Sequence, residues 1–274
     1  MTRGGVMAQA TDYVTDGEEV TEPSHPCDSP SQVTIPMFAG MRFIAISAFA
    51  AAAAASAALA GGRGESPVVV ELYTSQGCSG CLQASAYASE LAEREGVLLL
   101  SFGVDYWDYL GWEDTFAKPG FVERQRLYTE RLENRHPYTP QMVVDGHVNG
   151  AGFNREFVDI AVAHCFEHIA NSPSVSFSRE DDQLTVAIGD GDSVDEDADV
   201  WLVTYLPGVQ MVDIDRGENA DAAMRHYNVV ESIHRIGAWN GDDVTLTAPI
   251  ISDRSHAVLV QRAHQGAMIA AAAE

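Results

Sequence analysis

The sequence predicts an α/β unit over residues 67–171, followed by a mostly antiparallel β region over 172–274. Three observations carry that prediction. Two largely apolar runs, Val68-Val69-Val70-Glu71-Leu72-Tyr73 and Val97 to Val104, flank a helical pattern, as in a βαβ unit whose parallel strands are buried on both faces. Asp145-Gly146 between short apolar segments is the strongest hairpin signal in the chain. After Asn171 the helical period is replaced by short alternating segments between Gly, Asp, Asn and Pro turns.

Taken in order, the chain begins with a stretch for which no folded structure is expected. Residues 1–36 scatter Asp12, Asp16, Glu18, Glu19, Glu22 and Asp28 among Thr, Ser and Pro without apolar periodicity. Arg42 then precedes an uncharged, Ala-rich run from Phe43 to Ala60 that ends in Ala58-Leu59-Ala60, the order of a basic n-region, an apolar h-region and an A-x-A cleavage site. Two readings are open over 37–60. A signal peptide implies a true start at Met37 or Met41, with residues 1–36 a mis-called extension. A single membrane anchor is the other, because about 18 uncharged residues just reach spanning length. Both send the remaining chain to the periplasm or outside the cell, where disulfides persist, and contact with a membrane is expected only through this segment if it is uncleaved. Cys27 precedes the cleavage point and would be missing from the mature chain.

From Ser66 the elements follow. Val68 to Tyr73 reads as a central strand, and Cys81 to Glu95 as a helix with Ala84, Ala88 and Leu91 on its apolar stripe. Val97 to Val104 returns as the second strand. A polar and aromatic insertion, Asp105-Tyr106-Trp107-Asp108-Tyr109-Leu110-Gly111-Trp112, leads to a helix opened by Pro119 and running through Phe121, Arg124, Leu127 and Leu132. Tyr138-Thr139-Pro140 precedes a short strand, Gln141 to Val144, and His147 to Gly150 is the returning strand of the hairpin. Asn154 caps a last helix to about Ala170. In the second half, strands are expected over 174–178, 183–188, 199–206, 209–215, 229–236, 243–247, 257–261 and 267–271, as a sheet or sandwich packed on the first half.

Charge narrows the function. Only 16 Lys and Arg stand against 40 acidic residues in 274, a net charge of −24, which opposes binding to nucleic acid or anionic lipid. Four cysteines are too few for a disulfide scaffold, and no second pair completes a zinc-finger spacing. The C-x-x-C at Cys78 and Cys81, placed after a strand and opening a helix, suits thiol–disulfide exchange, because helix N-terminal N–H groups favour the thiolate. Cys78 is expected to be an exposed attacking thiol of lowered pKa and Cys81 the resolving thiol, with no cofactor and no metal. Partners would be a protein or peptide thiol and an unknown recycling partner.

The order strand, C-x-x-C, helix, strand, helix, Thr-Pro, hairpin, helix resembles the thioredoxin fold. That resemblance implies that Pro140 is cis and that Thr139 and Pro140 flank the cysteines and present backbone to a peptide. More narrowly, Glu71 to Cys78, Val104 to Trp112, Tyr138 to Val144 and Arg216-Gly217-Glu218-Asn219 resemble an uncharacterised family of exported bacterial thioredoxin-like proteins, catalogued as a domain of unknown function. The resemblance covers about Pro67 to Ala270. This chain has Leu82 where relatives often have proline, and Ser79-Gly80 where thioredoxin has Gly-Pro, so the redox poise does not carry over.

Other residues have two readings each. Tyr106, Trp107, Tyr109 and Trp112 suit either a wall of the substrate site or packing beneath the inserted helix. Asp105 and Asp108 could tune the thiols or cap the loop. Arg216, Glu218 and Asn219 form a second cluster, facing substrate or bracing strands. Cys165, at helical spacing with Phe157, Ala161 and Ile169, is a small core residue. His164 and His168 could bind metal or sit on a solvated face, and the acidic run 190–199 is a solvated hairpin rather than a calcium loop. An alternative function is a non-catalytic thioredoxin-fold binding protein or copper(I) carrier using Cys78 and Cys81, with Met142 as an added ligand; a purely structural disulfide is a third reading.

Overall fold

The computed structural model describes residues 66–274 apart from 168, 193 and 252. The expected extension, the signal or anchor segment, Cys27 and His168 lie outside the described residues. Along the chain run β1 (Val68–Thr74), α1 (Cys81–Ala92), β2 (Val97–Gly103), α2 (Pro119–Arg131), β3 (Gln141–Val144), β4 (Val148–Ala151) and α3 (Arg155–Phe166). Then come β5 (Val175–Glu180), β6 (Gln183–Ile188), β7 (Ala198–Ile214), β8 (Ala222–Trp239), β9 (Val244–Pro249), β10 (Ser255–Gln261) and β11 (Met268–Ala273). Among the described residues no helix is long and apolar enough to cross a membrane.

Eight strands form a mixed, mostly antiparallel sheet in the order β11-β10-β7-β8-β2-β1-β3-β4. The β1–β2 and β2–β8 pairs are parallel, as a βαβ crossover through α1 requires for the first of them. Alternation along β1 divides its side chains between two cores. Val68, Val70 and Leu72 meet Ala84, Ala88 and Leu91 of α1 and Val158 and Val162 of α3. Val69 and Tyr73 face the other way, toward Phe121 and Tyr128 of α2 and Tyr205, Val230 and Leu259 of the later strands. A second sheet, β5-β6-β9, covers the far part of the large one, with Leu184, Val186 and Ile188 packed on Val200, Leu202, Val258 and Trp239.

Several expectations are corrected. The segments expected at 199–206 and 209–215 are one strand, β7, carried past Pro207 by register shifts between Leu206 and Val209. Its partner β8 starts at Ala222, not Val229, because cross-strand pairing with β7 overrides the weak apolar pattern of Ala222 to Asn228. The later strands do not only pack on the first half: β8 joins β2 edge to edge, through Ser101 opposite Val229. α1 stops at Ala92 rather than Glu95, since Gly96 at φ +76° turns the chain into β2. α3 stops at Phe166, and its N-cap is Asn154, whose side chain accepts from Phe157 N at 3.3 Å.

Candidate functional site

The loop that leaves β1 is tightly turned. Cys78 N donates to Ser75 O at 3.2 Å and Cys81 N to Cys78 O at 3.1 Å. The two cysteines form a disulfide with Cα atoms 5.4 Å apart, and Cys81 is the first residue of α1. Thr139–Pro140 is a cis peptide bond. Pro140 lies directly beside the pair, since a Cβ placed on Gly80 would sit 3.5 Å from Pro140 Cδ.

Side chains from three other segments fasten this loop. Trp107 backs it, with its Cβ 3.3 Å from the position a Cβ on Gly77 would take, and its indole N–H donates to Thr139 Oγ1 at 2.7 Å. Gln76 is fully buried: its Oε1 accepts from Trp112 Nε1 at 2.8 Å and from Thr115 N at 3.2 Å, and its N donates to Asp114 Oδ2 at 2.7 Å. From the tip of the β7–β8 hairpin, Asn219 donates to Gln76 O at 2.8 Å and Cys78 O at 3.0 Å. Ile214 and Met224 of the same hairpin pack on both cysteines, joined by Leu82, Trp107, Trp112 and Val212.

Burial sets the electrostatics nearby. Desolvation pushes the Asp114 carboxyl up to about 6, although the N–H groups of Gln76 and Phe116 hold its charged form. His226, two residues along β8 from Met224 and edge-on to Phe116, is held neutral by burial, its pKa lowered to about 4. Burial also lifts the Tyr106 phenol to about 12. Two cavities, of about 530 and 380 Å³, lie along α2 and β7, and no cysteine lines either.

The structure brings together Cys78, Cys81, Thr139, Pro140 and Trp107, and adds Asn219 from the second cluster. Tyr106 points toward the α2 core and bonds Gln125 at 3.3 Å, while Tyr109 is exposed. Asp108 caps its loop by accepting from Asp114 N at 3.1 Å. Arg216 and Glu218 are exposed at the hairpin tip, with no ion pair among the described residues. Two expectations fail. Cys78 is not exposed: 5% of it is accessible, and none of Cys81, because the hairpin lies over both. Met142 belongs to the α1–α3 core; the thioether beside the cysteines is Met224. Cys165 sits in that same core, its thiol bonded to Asp145.

One polar cluster escaped the sequence reading. Glu71 on β1 takes a bidentate bond from Arg124 of α2, both contacts at 2.7 Å, and also accepts from Tyr128 at 2.6 Å and Tyr73 at 2.9 Å. Gln261 and Gln265 accept from the guanidinium, and Trp201 stacks over it. An acidic residue inside an otherwise apolar strand was the available signal, because a fully buried carboxylate requires a partner.

Fold and site together define a mixed α/β protein with a large, mostly antiparallel sheet and a buried C-x-x-C disulfide at the start of its first helix. Residues 69–261 match the model of a family described as a protein of unknown function, DUF1223, and the chain belongs to that family. A crystal structure of a structural-genomics protein from Agrobacterium tumefaciens is similar, with 30% identity and a TM-score of 0.64 over 75% of this chain and 92% of that one. An endonuclease/exonuclease/phosphatase from Beutenbergia cavernae overlaps 39% of this chain and 24% of its own, at 10% identity and a TM-score of 0.17. No curated protein matches.

Proposed function

We propose that the chain is an exported thiol–disulfide oxidoreductase, built on a thioredoxin-like first half and acting on protein or peptide thiols through Cys78 and Cys81. The observation that carries this reading is the disulfide at the start of α1 with Pro140 against it. The strand order β2-β1-β3-β4, parallel then antiparallel, supports the thioredoxin-like assignment. Export is supported by the signal-like run at 37–60 and by a disulfide, which persists in an oxidising compartment. A staple role accounts for the pair less well. Closing so short a loop removes little unfolded-state entropy, about 2 kcal/mol.

A partner thiolate attacks the Sγ of Cys78, the more accessible of the two residues; the Cys78–Cys81 bond breaks and Cys81 leaves as a thiolate. The partner's second thiolate then attacks its own sulfur in the mixed disulfide and releases Cys78. Two electrons have passed to the protein and the partner dithiol has become a disulfide; the reverse sequence reduces a substrate. An unidentified partner resets the couple, and the thiols themselves carry the chemistry. The test is turnover of insulin disulfides and of a reduced dithiol protein, with Cys78→Ser as control. The wild type should turn over in one direction and Cys78→Ser in neither; no turnover by the wild type in both assays overturns the reading.

Met224 favours a second reading, copper(I) carriage by the two reduced cysteines and its thioether, a soft donor set. Metal analysis of the reduced protein tests it: copper lost in Met224→Leu supports it, and copper-free wild type after copper(I) loading sinks it.

A further inference from the structure

We propose that the distal half of the β7–β8 hairpin, residues 209–227, is a hinged cover that must swing off the Cys78–Cys81 disulfide before a macromolecular substrate can reach it. The inference deepens the redox reading of that site and rests on it for its purpose, but the cover is tested separately.

The first support is geometric. Cys78 and Cys81 are 5% and 0% exposed, and Ile214, Met224 and Val212 of the hairpin lie over them, so no protein thiol can approach Cys78 Sγ in line while the arm is down. The second is how the arm is held. β10 pairs with β7 only as far as Tyr205, and β2 meets β8 at Val229 and at Tyr227, whose carbonyl accepts from Ser101 Oγ at 2.7 Å; among the described residues no strand pairs with the outer edges of the arm beyond those points. Val209 and Met211 face solvent, 47% and 54% exposed. Asn219 acts as a latch through its bonds to Gln76 O and Cys78 O, and Gly217, at φ +85°, lets the tip approach Trp112, whose Cβ is 3.2 Å from where a Cβ on Gly217 would be.

The third support is a break in the ladder where the arm leaves the sheet. The β7–β8 register shifts between Leu206 and Val209, Pro207 supplies no N–H there, and Gly208 has φ +72° opposite Asn228 at φ +47°. Asn228 fastens the fixed side of this break, accepting from Gly208 N and donating to Leu99 O of β2, each at 2.9 Å. Hinges are short segments at element ends that absorb backbone rotation while the flanking elements stay rigid. A broken register between a base flanked by β10 and β2 and a two-strand arm fits that description.

The experiment is reduction kinetics on the full-length oxidised protein, with dithiothreitol and a trialkylphosphine in separate series and free thiols trapped against time. Each reduction breaks the S–S bond and places two electrons and two protons on the cysteines, leaving a cyclic disulfide or, with oxygen from water, a phosphine oxide. The rate should level off at one ceiling for both reductants, because opening becomes limiting. Asn219→Ala should raise the ceiling about tenfold, the effect of losing a latch of one to two hydrogen bonds. A wild-type rate proportional to reductant throughout, with the variant superimposed, overturns the cover. Native-state hydrogen exchange of the wild type is independent of any variant: amides at 209–214 and 222–227 should open more readily than those at 198–205, and equal protection across the break overturns the hinge. A ceiling with no turnover in either the insulin or the dithiol assay keeps the cover and removes the oxidoreductase; turnover in one of them without a ceiling does the reverse.

Discussion

His226 sits on β8 with its ring enclosed and Nε2 without a hydrogen-bond partner, and burial lowers its pKa from 6.5 to about 4. Between those values the unfolded chain binds a proton that the native state does not, so stability falls as pH drops from about 6.5 to about 4. The loss is about 3 kcal/mol at most, at about 1.4 kcal/mol per unit. Asp114 works in the opposite sense: its folded pKa is raised to about 6, so its contribution is fully present below the unfolded carboxylate value and is lost as pH rises through about 6. His226→Phe should remove the first slope and leave the second, so the variant gains stability from pH 6 to pH 4 where the wild type does not; urea unfolding at each pH checks it. Trp107→Phe keeps the Cβ against Gly77 and loses the bond to Thr139, which should cost about 1 kcal/mol in the same assay. Cys78 and Cys81 were legible because their spacing in the chain carries their chemistry, and Pro140 through the resemblance to the thioredoxin fold. Met224 and His226 were not, since their position beside the site comes from a strand register.

The element scale is governed by two joints. One is the Glu71–Arg124 pair between β1 and α2, almost wholly out of water and saturated with hydrogen bonds. Arg124→Met leaves a buried carboxylate beside two phenols and should cost about 3–5 kcal/mol. Glu71→Gln with Arg124→Met should cost less than the sum of the single changes, and a denaturant double-mutant cycle reads the coupling directly. Helix periodicity placed Arg124 on the stripe with Phe121, but an arginine in that register gives no notice of which strand holds its partner. The other joint is the β7–β8 hairpin. Pro207-Gly208 reads as a turn between two strands by local chemistry, and the pairing of Val209 to Ile214 with Ala222 to Tyr227 overrides it. Local preference is worth tenths of a kcal/mol per residue, whereas a paired ladder contributes at every position.

At the scale of the molecule, the eight-stranded sheet runs through both halves of the described chain, and the core around Tyr73 is shared between them. The core around Tyr73 and Phe102 is completed by Val203, Tyr205, Val230, Leu259 and Ala271, and Gln261 and Gln265 finish the Arg124 cluster. A chain ending at Asn171 should therefore not fold cooperatively, because it would expose that face and leave the cluster half satisfied. Its urea transition should be broad and its dye-accessible apolar surface large, whereas a sharp two-state transition would show that the first half stands alone. The sequence by itself determined the βαβ unit, the hairpin at Asp145-Gly146, the caps, and the cysteine pair, since each depends on neighbours a few residues away or on a periodic pattern. Tertiary structure alone decided that the second half extends the same sheet and that Glu71 meets Arg124. It also decided that the disulfide lies beneath Ile214, Met224 and Asn219, more than a hundred residues downstream. Those contacts follow from strand register and edge pairing, which depend on the free energy of the whole sheet rather than on any local segment.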